Sequence, residues 1–194
     1  MPPDEQEELD RRLISAAMNG QTETVRALLA AGADVHATND SALCSAACWG
    51  HTEVVKALLA SGADVHAYDD EALRFAAYNG HTEIVKVLLA SGADVHARDD
   101  EALRWAARNG RTGTLRVLTR HIFARESWRG KSRAEIEAQA NALYDKIKGN
   151  NPSPEHLHKA GTILADCALT CWEQVRPPPP KLTLSPFPAQ PRPL

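Results

Sequence analysis

"DDEALRFAAYNGHTEIVKVLLASGADVHAR" fills residues 69–98, and at 99 the chain begins the phrase again as "DDEALRWAARNGRTGTLRVL". Aligning the Ala-Ala pairs at 16/17, 46/47, 76/77 and 106/107 gives four units in strict 30-residue register, and "GADVHA" recurs at 32–37, 62–67 and 92–97. A period of this size marks stacked supersecondary units, none of which can bury its apolar face alone.

The local pattern inside residues 69–98 says what each unit is. Ala72, Leu73, Ala76 and Ala77 form one stripe of a short helix. Asp70 or its neighbour is placed to cap that helix, and Asn79-Gly80 ends it, since glycine takes left-handed dihedrals at no steric cost. A second helix begins near Thr82. Its Ile84, Val85, Val87, Leu88 and Leu89 cover most of its circumference, as expected when neighbours lie on two sides, and it stops at Ser91-Gly92. "ADVHARDD" is then a loop into the next unit, so each unit reads helix, turn, helix, loop.

Composition agrees with an all-α fold. The chain is 43% hydrophobic but only 5% aromatic, which suits a core of Ala, Leu and Val between closely packed helices. A sandwich or barrel would call for more β-branched and aromatic residues. Net charge is −3 overall, with −6 over residues 1–124 and +3 over 125–194, so neither part carries the bulk basic charge of a nucleic-acid binder. "MPPDEQEELDRR" lacks the basic start and apolar stretch of a secretory signal, and no run reaches the roughly 18 apolar residues of a membrane span. The sequence therefore predicts a cytoplasmic chain without a membrane partner, its four cysteines reduced.

"EALRFAAYNGHTEIVKVLLASGADVHA" resembles the ankyrin repeat, and the resemblance covers roughly residues 8–120. The family's usual period is roughly 33 residues; here three are missing before the first helix, where "DEALR" or "DSALC" stands for the family's longer acidic turn. The resemblance thus implies a solenoid with shorter loops than usual, similar to the ankyrin arrays common in giant viruses, bacteria and phages. His36, His66 and His96 stand where the family often has Asn. Stacked units lie roughly 10 Å apart and zinc–nitrogen bonds are about 2 Å long. These histidines are therefore read as serving loop hydrogen bonds rather than a shared metal.

The positions that drift between units separate face from scaffold. They are Thr38/Tyr68/Arg98, Ile14/Cys44/Arg74/Arg104, Met18/Cys48/Tyr78/Arg108 and Asn19/Trp49/Asn79/Asn109. In the family the loop position and the end of the first helix line the concave face. The resemblance therefore implies a protein-binding surface made of Trp49, Tyr68, Arg74, Tyr78, Arg98, Arg104 and Arg108, and tyrosine, tryptophan and arginine are the types enriched at binding hot spots. Phe75 and Trp105 occupy the family's inter-repeat leucine position and are assigned to packing.

Unit four weakens: glutamate becomes Gly113 and "GADVHA" gives way to "RHIFAR". Beyond it, "SRAEIEAQANALYDKIKG" carries a capping box at Ser132 and Glu135, with Ile136, Ala140, Leu143 and Ile147 on one face. "SPEHLHKAGTILADCALTCWEQV" has Ser153 as cap and Pro154 at the first helical position, with a stripe of Leu157, Leu164, Ala168, Cys171 and Val175. The final 18 residues hold 8 of the 12 prolines. The expected organisation is an array over 1–124 (units at about 9–38, 39–68, 69–98 and 99–124), a two-helix cap over 125–176, and a disordered Pro-rich tail over 177–194.

Catalytic and metal chemistry find little support in the sequence. Cys44-x3-Cys48 and Cys167-x3-Cys171 are spaced more widely than the common zinc pairing, and Cys167 and Cys171 lie on or beside an apolar stripe. No Gly-rich phosphate loop occurs, and no nucleophile has a base at motif spacing. The reading is a non-catalytic protein-interaction module, an adaptor or inhibitor, with no cofactor and no metal. The competing readings are a binder of an acidic protein, ranked ahead of nucleic acid, through the arginine cluster at 98–133, and an enzyme sited in the C-terminal appendage.

Overall fold

The structure is a computed structural model that describes residues 3–125 and 131–175. Four helix pairs follow in chain order: α1 (Pro3–Met18) with α2 (Thr22–Ala30), α3 (Ala37–Trp49) with α4 (Thr52–Ala60), α5 (Ala67–Asn79) with α6 (Thr82–Ala90), and α7 (Ala97–Arg108) with α8 (Thr112–Arg125). Two longer helices, α9 (Arg133–Gly149) and α10 (Pro154–Val175), complete the described chain. First helices stack in the order α1, α3, α5, α7 and second helices in the order α2, α4, α6, α8, so the molecule is an all-α solenoid. The Pro-rich tail lies outside the described residues. No described helix is long and apolar enough to cross a membrane.

The constant letters of the repeat are its interior. All eight residues of the Ala pairs are buried, as are Leu13, Leu43, Leu73 and Leu103 of the first helices and Leu28, Leu58, Leu88 and Leu118 of the second. Alanine at the contact lets neighbouring helices approach, and leucine fills the space between layers at interior density. The inner turns need glycine for two reasons. Gly80 has φ +84°, and a Cβ there would stand 2.6 Å from Cδ of Arg111 in the next unit.

The loops depart from the sequence expectation. Asp70 does not cap its helix. Tyr68, Asp69 and Asp70 all take left-handed dihedrals, as do Thr38, Asn39 and Asp40 and again Arg98, Asp99 and Asp100. This three-residue left-handed turn replaces the longer entry to the first helix, at a cost of roughly 1–2 kcal/mol per non-glycine residue. Sequence patterns favour right-handed caps by default, so one unit alone does not reveal it.

What holds the turn is a carboxylate. Asp70 is buried and accepts the backbone N–H of Asp94 in the next loop at 2.8 Å and Nδ1 of His66 at 3.1 Å. Asp40 does the same for Asp64 at 2.8 Å and His36 at 3.2 Å. Asp10 accepts from Asp34 at 2.7 Å, with Gln6 standing in for the histidine. The histidines thus do serve loop hydrogen bonds, through the buried aspartate. A second ladder runs along the inner turns, where Nε2 of His51 and of His81 donate to the carbonyls of Met18 and Cys48 at 3.0 Å each, and Nε of Arg111 donates to the Tyr78 carbonyl at 3.2 Å.

Both ladders continue into the appendage. Among the described residues Asp100 accepts no loop amide, and the Lys146 ammonium of α9 takes that place, also bridging Asp99 at 2.8 Å. His156 of α10 donates to the Arg108 carbonyl at 2.9 Å, the next rung of the inner ladder. The expected stripe of Ile136, Ala140, Leu143 and Ile147 is buried, and the Ser132–Glu135 capping box is formed. α10 packs on α8 and α7, and Leu115, Leu118, Ile122 and Phe123 of α8 are buried.

Two outcomes test these ladders. Asp70→Ala leaves the part-buried Asp94 amide without its acceptor and should cost about 1 kcal/mol in urea unfolding, more than Asp10→Ala at the solvated end. The hydrogen bond and then the charge of Asp40 raise the His36 pKa above its ordinary 6.5. Stability from that pair is therefore fully present below the unfolded value and lost as pH rises through the folded one. The stability gap between wild type and His36→Gln should close as pH is raised; a gap that widens contradicts the assignment.

Candidate functional site

Six of the seven residues drawn from the drifting columns reach solvent at least in part. Trp49 is 63% exposed, Tyr68 48% and Tyr78 45%, and Arg98 and Arg108 are exposed while Arg104 is half-buried. Arg74 is different. It is only 4% exposed, and its guanidinium is fully engaged inside the protein: Nε donates to the Asp69 carbonyl at 3.0 Å, Nη2 to the Tyr68 carbonyl at 2.9 Å, and Nη1 to Oε2 of Glu101 at 2.6 Å. Arg74 clamps the left-handed turn of its own unit to the next unit, so it supports the face and is not a surface contact. Sequence comparison places it with Arg104 because the two share a column; it does not show that Arg74 reaches Glu101, 27 residues on.

Trp105 organises the centre of the face. Its ring meets Tyr78 edge-on with centroids 5.5 Å apart, stacks on Phe75 at 6.2 Å, and lies 5.9 Å from the Arg74 guanidinium carbon. Phe75 and Trp105 thus pack between repeats, and Trp105 also holds the Tyr78 ring edge-on. Tyr68 lies on the loop, its hydroxyl 3.5 Å from the Thr38 carbonyl of the preceding unit. Met18, in the Tyr78 column of unit one, is also exposed; it is absent from the sequence-based set, although its column carries the signal.

Trp49 breaks a local rule. Asn19, Asn79 and Asn109 occupy the same position in the other units, and each side chain closes its helix end on the carbonyl four residues back, at 2.8, 3.1 and 2.8 Å. Unit two gives up that bond for an indole that faces water and has no hydrogen bond among the described residues. An exposed tryptophan in place of a stabilising asparagine is costly for solubility and for the helix end alike.

The arginine cluster read along the sequence separates in space. Arg98, Arg104 and Arg108 belong to α7, whereas Arg116 and Arg120 on α8 line a groove of about 690 Å³ against Phe123, Ile163 and Cys167. Arg129 lies outside the described residues. A second hollow of about 520 Å³ runs between α9 and α10, lined by Tyr144, Leu164, Leu169 and Trp172. Neither hollow borders Trp49, Tyr68 or Tyr78.

Two family models match the chain. One, described as ankyrin repeats in three copies, matches residues 10–69, and the other, described as ankyrin repeats in many copies, matches residues 73–119. No curated protein matches it.

Burial, followed by the charge of Glu71, pushes the Cys44 thiol up to about 12. A thiol so raised is a packing group rather than a nucleophile at neutral pH. Iodoacetamide at pH 8 should label the partly exposed Cys167 well before Cys44 in the native protein, followed by peptide mass spectrometry; equal labelling would contradict the burial described for Cys44.

Proposed function

The chain belongs to the ankyrin-repeat family, and on that premise we propose that it is a non-catalytic adaptor or inhibitor that binds a protein through the face of Trp49, Tyr68, Tyr78, Arg98, Arg104 and Arg108. Ankyrin repeats are generally protein-interaction modules. The observation that carries the reading to these residues is Trp49. A structural role alone would favour the asparagine that the other three units keep, and the exchange makes sense where the indole gains contact on binding. Tyr78, held edge-on by Trp105, supplies a second aromatic anchor of low conformational freedom.

In this reading residues 1–124 form the binding array, and the hairpin of α9 and α10 closes its end by filling the last rungs of both ladders. The four free thiols fit a reducing, cytoplasmic setting.

Immobilised protein incubated with cell lysate, with the retained proteins identified by mass spectrometry, provides the test. Trp49→Ala combined with Tyr78→Ala should cost about 2 kcal/mol or more, roughly thirty-fold in affinity for the retained protein. Undiminished retention by a folded double variant would place the binding surface elsewhere.

A further inference from the structure

The column of residues 44, 74 and 104 holds an unfinished interaction. In unit three, two N–H groups of Arg74 grip the carbonyls of the left-handed turn, and the third edge of its guanidinium meets Glu101 of the following unit. Arg104 repeats the first part: Nε donates to the Asp99 carbonyl at 3.0 Å and Nη2 to the Arg98 carbonyl at 3.1 Å. The second part is missing. Thirty residues after Glu101 stands Lys131, where the repeat register has already been lost, and Nη1 of Arg104 donates to no carboxylate among the described residues.

Resting on the reading of this face as a protein-binding surface, we infer that the partner presents an acidic segment whose carboxylate takes the place that Glu101 fills one unit earlier. Arg104 and Arg108 are its receptors. Arg104 is already oriented by two backbone carbonyls, so little side-chain freedom is lost when a carboxylate arrives. Arg108, one turn further along α7, is exposed and its side chain has no partner among the described residues. The two are neighbours on one helix face, spaced to receive two carboxylates of one segment. Arg98 adds a third positive charge, its only acidic contact among the described residues being Glu101 at 3.9 Å, and Glu101 is already bonded to Arg74. Tyr78 and Trp105 provide an apolar neighbourhood in which such charge-assisted bonds gain strength.

The surroundings favour carboxylates over a nucleic-acid backbone. Asp99 and Asp100 pair with Lys146 and Glu101 with Arg74, and residues 1–124 as a whole carry a net charge of −6. A polyanion with continuous charge would run along this net negative array, whereas a short acidic segment can address Arg104 and Arg108 alone. Arg116 and Arg120 do not extend the α7 arginines into a track, since they line the groove between α8 and α10.

Fluorescein-labelled octaglutamate, followed by anisotropy at low salt against an oligothymidylate of equal length, gives the test. Saturable binding of octaglutamate is expected, weakened about tenfold by Arg104→Gln and by Arg108→Gln, and changed less than about twofold by Arg116→Gln with Arg120→Gln. Arg108→Gln touches no internal contact of its side chain, so a loss there reports binding and not folding. Octaglutamate should also release the protein retained from lysate. Binding that ignores both α7 variants, or an oligothymidylate that binds more tightly with the same arginine dependence, overturns the inference. If Trp49→Ala with Tyr78→Ala abolishes retention while the α7 arginine variants leave it intact, the face stands and the acidic partner falls. Arginine-dependent binding of octaglutamate with no effect of the aromatic pair on retention keeps the acidic site and removes the aromatic face.

Discussion

One buried carboxylate per unit holds this stack in register. Asp40 and Asp70 are each the last of a turn of three left-handed residues and accept the backbone amide of Asp64 or Asp94 in the loop that follows, 24 residues later. The turn is costly by itself, and an unpaired carboxylate at that depth would be costlier still. Each is tolerable because of the other. The loops are thereby joined from unit to unit through hydrogen bonds, in addition to the apolar contacts that stack the helices.

Such a ladder has to end, and its ends differ. At the start, Asp10 is more open to solvent and Gln6 supplies its second bond. At the finish, Asp100 is as deeply buried as its counterparts but accepts no loop amide among the described residues, and an ammonium from α9 neutralises it. The repeat thus hands over to non-repeat structure by chemical substitution: Lys146 stands in for a backbone amide in one ladder, and His156 of α10 adds the rung after that of Arg111 in the other. The apolar cover that α10 provides for α8 accompanies this handover.

The parts of the fold that depend on short spacing were legible in the sequence. The 30-residue period, the Ala pairs, the glycine turns, the Ser132 capping box and the stripe from Ile136 to Ile147 all involve residues a few positions apart or repeated at a fixed interval. What escaped were contacts that join units. Asp70 reads as a helix cap from its own neighbours and becomes an acceptor only when Asp94 arrives. Arg74 reads as a surface residue and becomes a clamp only because Glu101 follows. The same distinction applies to the candidate face, where the columns named Tyr78 and Arg104 but not the Trp105 support beneath the one or the open third edge of the other.

The claim that buried aspartates bind loop to loop is tested most directly by hydrogen exchange at the loop amides of Asp64 and Asp94. Loop amides ordinarily exchange quickly, but these two should be protected like helical core amides, and Asp70→Asn should lower protection at Asp94 more than at Asp64. Exchange of both at the rate of an unprotected loop in the native protein would contradict the account.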